Sequence, residues 1–283
     1  MTVRDGVRWV TERLRHTVSE APRWEAEVLL SHALDVERAA LYASPERVLS
    51  AREWERLQML LARRCAGEPL QYLIGYIEFY NCRLEVAPAV LIPRPETEEL
   101  VERIVKDFPD APARVLDLGT GSGAIAIALA RAWPTSSFVA SDISEDALAL
   151  AHKNAVLNGV AERIRFVRSD WFSEIDGRFD LIVSNPPYVP TQYLASAPRE
   201  LRYEPRIALD GGEDGLEALA RIIQESPQYL CSCGALYLEI GSDHGASVRA
   251  LLQRSGAFAQ IEILRDVSGH DRFARAINKE GDV

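Results

Sequence analysis

Apolar residues recur three and four positions apart between Val3 and about Cys65: Val7, Val10 and Leu14, then Val28, Leu29 and Ala33, then Trp54, Leu57, Leu60 and Leu61. That period predicts short amphipathic helices, each hiding one stripe. Pro22 marks the start of one helix, and the Ser44-Pro45 pair precedes another. Ser50, followed three residues on by Glu53, has the form of an N-terminal capping pair. Residues 1–72 are expected to form a small helical domain, with the stripes as its core. The pattern then changes. Residues 76–92, YIEFYNCRLEVAPAVLI, are rich in aromatic and β-branched side chains and predict a β-hairpin with Asn81 at its turn, so that a hairpin linker spans 73–92. Pro93 to Phe108 predicts a proline-started helix carrying Leu100, Val101, Ile104 and Val105 on one face.

From Arg114 short apolar runs alternate with helical stretches: VLDL, AIAIALARAW, FVASD, EDALALAHKNAVLNG, IRFVRSD and FDLIVSN. ALYLEIG predicts a further strand, GASVRALLQRSG a helix, and IEILRDV with RFARAI a closing strand pair. Strand and helix in alternation give a Rossmann-like α/β sheet with helices on both faces, expected over residues 93–283.

The composition, 47% hydrophobic and 26% charged over 283 residues, excludes a disordered or fibrous chain. The net charge of −10 falls entirely on residues 73–283, because the first 72 carry 11 basic and 11 acidic side chains. Such a surface argues against broad capture of nucleic acid phosphates, and no direct nucleic acid partner is expected. Four cysteines are too few for a disulfide scaffold, and Cys231 with Cys233 lacks a second pair at zinc spacing, so no metal is expected. The charged N-terminus, MTVRDGVRWVTERLRH, has no apolar signal core, and no window approaches ~18 uninterrupted apolar residues. A cytoplasmic chain without membrane contact is the expectation.

Two constellations carry candidate chemistry. The first begins at the end of a strand, where Asp117-Leu118 runs into Gly119-Thr120-Gly121-Ser122-Gly123. Glycines at such a junction let the backbone turn sharply and a ligand come close, but the spacing is not that of a dinucleotide fingerprint. A carboxylate beside the turn would oppose a pyrophosphate and suit a cationic sulfonium and ammonium. The next strand ends at Asp142, about where a ribose hydroxyl pair is gripped in this fold. The third ends at Asp170-Trp171, a carboxylate for an exocyclic amine and an aromatic face for a purine. In strand order, these favour S-adenosyl-L-methionine over a dinucleotide.

The second constellation is Asn185-Pro186-Pro187-Tyr188, after the fourth strand. Two prolines stiffen the backbone and remove N–H donors, so the Pro186 carbonyl and the Asn185 side-chain oxygen can both accept from one planar –NH2 group while Tyr188 covers its face. A conjugated amine is a poor nucleophile, and two acceptors would orient it and favour the more positive nitrogen of the transition state. No general base stands among the four residues. His152, His244 and His270 lack a partnered nucleophile. A protein glutamine and a nucleic acid adenine both present such an amine, so the motif alone leaves the acceptor open.

Together with GEPLQYLIG (67–75), PRPETEELVE (93–102), YEPRIALDGGEDGL (203–216), LEIG (238–241) and SGHDR (268–272), these motifs make the chain resemble, over nearly its full length, the HemK/PrmC family of S-adenosylmethionine-dependent methyltransferases. The resemblance implies a methyltransferase sheet with a helical N-terminal substrate-recognition domain. It also implies that the acceptor is the glutamine in the Gly-Gly-Gln motif of class 1 peptide chain release factors, the protein partner in translation termination. Gly119, Thr120, Gly121, Ser122 and Gly123 would wrap the methionine part of the cofactor, Asp142 its ribose, and Trp171 the adenine with Asp170 nearby; Asn185 to Tyr188 would receive the glutamine, and Asn185 would also touch the cofactor. Competing readings are a glutamine methyltransferase of a ribosomal protein, an adenine amino-group methyltransferase, and a binding module with a degenerate site. Arg94, Glu96 and Glu98 are left between a site role and helix-start chemistry.

Overall fold

The computed structural model describes residues 1–17 and 19–280. It divides into two compact units, one made of residues 1–76 with 198–203 and the other of the remainder. The first holds α1 (Val3–Leu14), α2 (Pro22–Leu34), α3 (Arg38–Ala43), α4 (Ala51–Cys65) and α5 (Leu70–Ile74). Capping boxes form at Thr2 with Asp5 ahead of α1 and at Ser50 with Glu53 ahead of α4. Each satisfies two otherwise orphaned backbone donors. Leu14, Leu29, Leu30 and Leu57 are fully buried in the common core, as the periodicity predicts. Within the same unit Arg64 is buried 2.7 Å from both Glu25 and Glu200. Two carboxylates offset the cost of taking that guanidinium out of water.

A hairpin of β1 (Tyr76–Phe79) and β2 (Cys82–Glu85) follows, all but its first residue in the second unit. Tyr80 and Asn81 both take left-handed φ values, 43° and 60°, as a two-residue hairpin turn of type I′ requires. The strand character expected to residue 92 stops at Glu85. Pro88 has no N–H for a ladder, and a turn closed by Val90 N–H on the Ala87 carbonyl redirects the chain. Leu73 and Ile74 end a short helix rather than begin the hairpin.

There follow α6 (Pro95–Asp107), β3 (Arg114–Leu118), α7 (Ala124–Ala132), β4 (Ser137–Asp142), α8 (Glu145–Leu157), β5 (Ile164–Arg168), β6 (Phe179–Ser184), α9 (Thr191–Leu194), α10 (Glu217–Glu225), β7 (Leu230–Glu239), α11 (Gly245–Ser255), β8 (Phe258–Arg265) and β9 (Asp271–Asn278). The sheet order is β5-β4-β3-β6-β7-β9-β8, parallel from β5 to β7, with β9 antiparallel to both its neighbours. The parallel sheet and closing strand pair are as expected, and the last strand lies inside the edge rather than at it. Successive strand residues face opposite cores. Val115, Leu181 and Val183 pack with residues of α6 and α7, and Leu116, Ile182 and Leu238 pack with α10 and α11. The strand order reverses at β3, between β4 and β6, and it is beyond the carboxyl ends at such a point that ligands bind in open α/β sheets. Among the described residues no helix is long and apolar enough to cross a membrane.

Candidate active site

A cavity of about 410 Å³ lies at this switch point, walled by the turn after β3, the ends of β4 and β6, the Ser169–Trp171 segment after β5, and the segments 89–97 and 205–210. The turn after β3 needs its glycines. Gly119, Gly121 and Gly123 have φ of 68°, 55° and 83°, in the left-handed region that side chains disfavour. Gly119, Thr120, Gly121 and Ser122 line the cavity. Gly123 does not; a Cβ there would lie 2.8 Å from Ile127 and 3.2 Å from Ala151, so this glycine serves the close packing of α7 on α8.

Asp117 is buried beneath the turn. Its Oδ2 accepts from the Thr120 hydroxyl at 2.6 Å and from the Ala126 N–H at 3.2 Å, while its Oδ1 has no hydrogen-bond partner. Burial pushes its pKa up to about 7 against those two hydrogen bonds. Asp142 closes the turn from the neighbouring strand, accepting from Gly121 N–H and from Ser144 N–H, each at 2.9 Å. Burial raises its pKa too. Trp171, itself at a left-handed φ of 53°, has its ring 3.6 Å from where a Gly119 Cβ would lie. Asp170 lines the cavity with its carboxylate taken up by Arg221 of α10, at 2.8 and 2.9 Å. That partner, 51 residues away, leaves no local trace in the sequence.

An open cradle of glycine backbone, an orphaned buried carboxylate oxygen, an acid at the second strand and an indole at the third fit a cationic nucleoside such as S-adenosylmethionine.

At the end of β6 the Ser184 hydroxyl donates to the Leu118 carbonyl at 2.7 Å and fixes β6 against β3. Asn185 and Pro187 line the cavity; Pro186 is buried, and half-buried Tyr188 packs against the α10–α11 core. The Asn185 amide donates through Nδ2 to Thr97 Oγ1 at 3.0 Å, and the Tyr188 hydroxyl donates to Glu239 Oε1 at 3.0 Å. Thr97 and Glu239 carry no signal as single letters, though each sits in a motif, PRPETE and LEIG. The glycines of YEPRIALDGGEDGL have a like role. A Cβ at Gly211 would lie 2.8 Å from the Pro187 carbonyl oxygen, and one at Gly215 2.4 Å from that of Tyr188. Only glycine lets this loop back the Asn-Pro-Pro-Tyr turn. Arg94 pairs with buried Glu204, while Glu98 accepts from the Tyr80 N–H at 3.0 Å and steadies the hairpin.

Family models match over both units: PrmC N-terminal domain at residues 6–75 and methyltransferase small domain at residues 96–198. A release factor glutamine methyltransferase of Moorella thermoacetica is 41% identical over 99% of this chain and 100% of its own. One of Salmonella typhimurium is 43% identical over 90% of this chain and 91% of its own. Among solved structures, a T. thermophilus 16S rRNA N2 G1207 methyltransferase in complex with AdoMet and guanosine shares the fold, at a TM-score of 0.53 and 18% identity over 72% of this chain and 50% of that one.

Proposed function

The chain belongs to the release factor glutamine methyltransferase family, and from that premise we propose that it methylates the side-chain amide nitrogen of the glutamine in the Gly-Gly-Gln motif of class 1 peptide chain release factors, using S-adenosylmethionine. One observation carries this reading: Asn185, the candidate amine acceptor, opens onto the same cavity as Gly119–Ser122, Asp142 and Trp171. Donor and acceptor sites are thereby continuous at the switch point.

S-adenosylmethionine would supply an electrophilic methyl group on a sulfonium, which on losing that methyl would leave as a neutral thioether. The chain's own residues do the rest. The Gly119–Ser122 turn would hold the methionine part, Asp142 the ribose and Trp171 the adenine ring, with Asp170 alongside. Buried Asp117 lies beneath the turn, where a positive ligand would favour its ionised form over the protonated form that burial favours. Asn185 Oδ1 and the Pro186 carbonyl each accept one N–H of the glutamine amide, which turns the nitrogen's lone pair toward the methyl donor. As the new N–C bond forms, positive charge grows on the nitrogen and both hydrogen bonds strengthen. The nitrogen exchanges one N–H for N–CH3, and the proton leaves to water after transfer. Tyr188 is no base for it. Burial and the adjacent Glu239 carboxylate push its pKa far above the ordinary phenol value, so it stays protonated. The helical unit of residues 1–76 is assigned to recognising the release factor.

The test offers labelled S-adenosylmethionine and, in parallel, an unmodified class 1 release factor, ribosomal proteins, and DNA or RNA. Label confined to the release factor supports the reading. Label confined to a ribosomal protein or a nucleic acid overturns the acceptor assignment.

A further inference from the structure

Glu239 is fully buried at the end of β7, and no cationic side chain pairs with it within ion-pair distance among the described residues. Both its oxygens are nonetheless committed. Oε2 accepts from the Thr97 hydroxyl at 2.6 Å and Oε1 from the Tyr188 hydroxyl at 3.0 Å. The Thr97 hydroxyl donates to Glu239 Oε2, as the 2.6 Å contact places it, and so spends its one proton there. Thr97 Oγ1 is then an acceptor toward Asn185, and the Asn185 group 3.0 Å away must be the –NH2 end of its amide. The orientation of that amide thus follows from Thr97 donating to Glu239.

We propose that Glu239, acting through Thr97, is a positioning residue that holds the Asn185 amide with its oxygen free for the acceptor amine, and that the same carboxylate anchors Tyr188. The inference rests on the reading above, in which Asn185 receives a planar –NH2 group. The two ends of an asparagine amide have nearly the same shape, so packing alone does not choose between them. Turned over, Asn185 would present –NH2 to –NH2, a donor to a donor, and the substrate nitrogen would lose its acceptor. A hydroxyl between a carboxylate and the amide removes that alternative. Four motifs distant in sequence meet here: Thr97 from PRPETE, Asn185 and Tyr188 from the Asn-Pro-Pro-Tyr turn, Glu239 from LEIG and Arg272 from SGHDR. Burial raises the Glu239 pKa against the hydrogen bonds from Thr97 and Tyr188 and the charge of Arg272, which is itself held by Asp266 and the Ile240 carbonyl.

Full-length enzyme is assayed for methyl transfer to an unmodified release factor. Glu239→Gln replaces two acceptors by one acceptor and one donor, so it cannot both accept from Thr97 and anchor Tyr188 as the carboxylate does. Its kcat should fall about 10- to 100-fold, with KM for the release factor and the Kd for S-adenosylmethionine within about threefold of wild type. Thr97→Val should behave alike, Thr97→Ser should recover most of the rate, and the double variant Thr97→Val/Glu239→Gln should be no slower than the slower single one, as for groups acting in one chain. A readout independent of turnover is the Asn185 side-chain –NH2 resonance in 15N-labelled protein, identified by its loss in Asn185→Asp. Its exchange with water should be slow in wild type and Thr97→Ser and fast in Thr97→Val and Glu239→Gln. Unchanged kcat in both single variants, rate losses that multiply in the double variant, or an Asn185 amide indifferent to Thr97→Val overturns the proposal. If wild type modifies another planar amine instead of glutamine, the functional reading fails while the relay is judged by the same ratios on that acceptor and by the resonance.

Discussion

Glu204 is buried and accepts hydrogen bonds from the Arg94 guanidinium and, at 3.0 Å, from the Ile92 backbone N–H. One carboxylate from the loop after the Asn-Pro-Pro-Tyr turn therefore ties down the segment that lines the cavity between Ala89 and Thr97. Glu204→Gln keeps the shape but leaves Arg94 without its counter-charge. Partial exposure of Arg94 limits the loss to about 2 kcal/mol, or a Tm lowered by about 5 °C. Calorimetric unfolding of the full chain checks this. A Tm equal to wild type would mean that the pair does not hold the wall.

Asn185→Ala removes one of two acceptors for the substrate amine and leaves the glycine turn intact. Turnover should drop by about 10²-fold or more, while the Kd for S-adenosylmethionine changes by less than about threefold. Single-turnover methyl transfer and titration calorimetry separate the two. Parallel loss of both would place Asn185 in cofactor binding instead.

Asp142 has two tasks, since the oxygens proposed to meet a ribose already accept from Gly121 and Ser144. Asp142→Ala should weaken S-adenosylmethionine binding by about 10- to 100-fold, and Asp142→Asn, which keeps one acceptor, should fall between. Wild-type affinity in the alanine variant would remove Asp142 from the site.

Burial lifts the Asp117 carboxyl from 3.8 to about 7 in the folded chain. The folded state therefore keeps a proton that the unfolded state has lost, and this contribution to stability is fully present below about pH 4 and gone above about pH 7. The decline is on the order of 4 kcal/mol. Asp117→Asn cannot ionise, so its stability relative to wild type should improve as pH rises across this window. Urea unfolding at pH 5 and pH 8 measures the difference. The same difference at both pH values would show that Asp117 is not the titrating group.

Much of this arrangement was legible because parallel sheets put their ligand groups at strand ends. Alternating apolar runs mark β3, β4, β5 and β6, and the residue after each run is the candidate, as with Asp142, Asp170 and Asn185. The helical unit was legible for a similar reason, since the Ser50–Glu53 capping pair and the Leu57–Leu61 stripe are local signals. Partners distant in sequence were not. Nothing near Asp170 announces Arg221, and Thr97 looks like any residue in the first turn of a helix until β7 brings Glu239 beside it. The packing of Gly123 against α8 was not legible either, because a glycine needed for helix packing looks the same as one needed for a ligand. The hairpin was overextended because Val90, Leu91 and Ile92 have strand character, while Pro88 and the turn at Ala87–Val90 deny them a ladder.

The central claim is that methyl transfer ends on the glutamine amide nitrogen, and the most direct measurement is fragment-ion mapping of a class 1 release factor incubated with the enzyme and S-adenosylmethionine. The account predicts one added methyl group on the glutamine of the Gly-Gly-Gln motif, located on its side chain and absent with Asn185→Ala enzyme at the same reaction time. A methyl group on any other residue, or an unmodified glutamine after complete reaction with active enzyme, would contradict it.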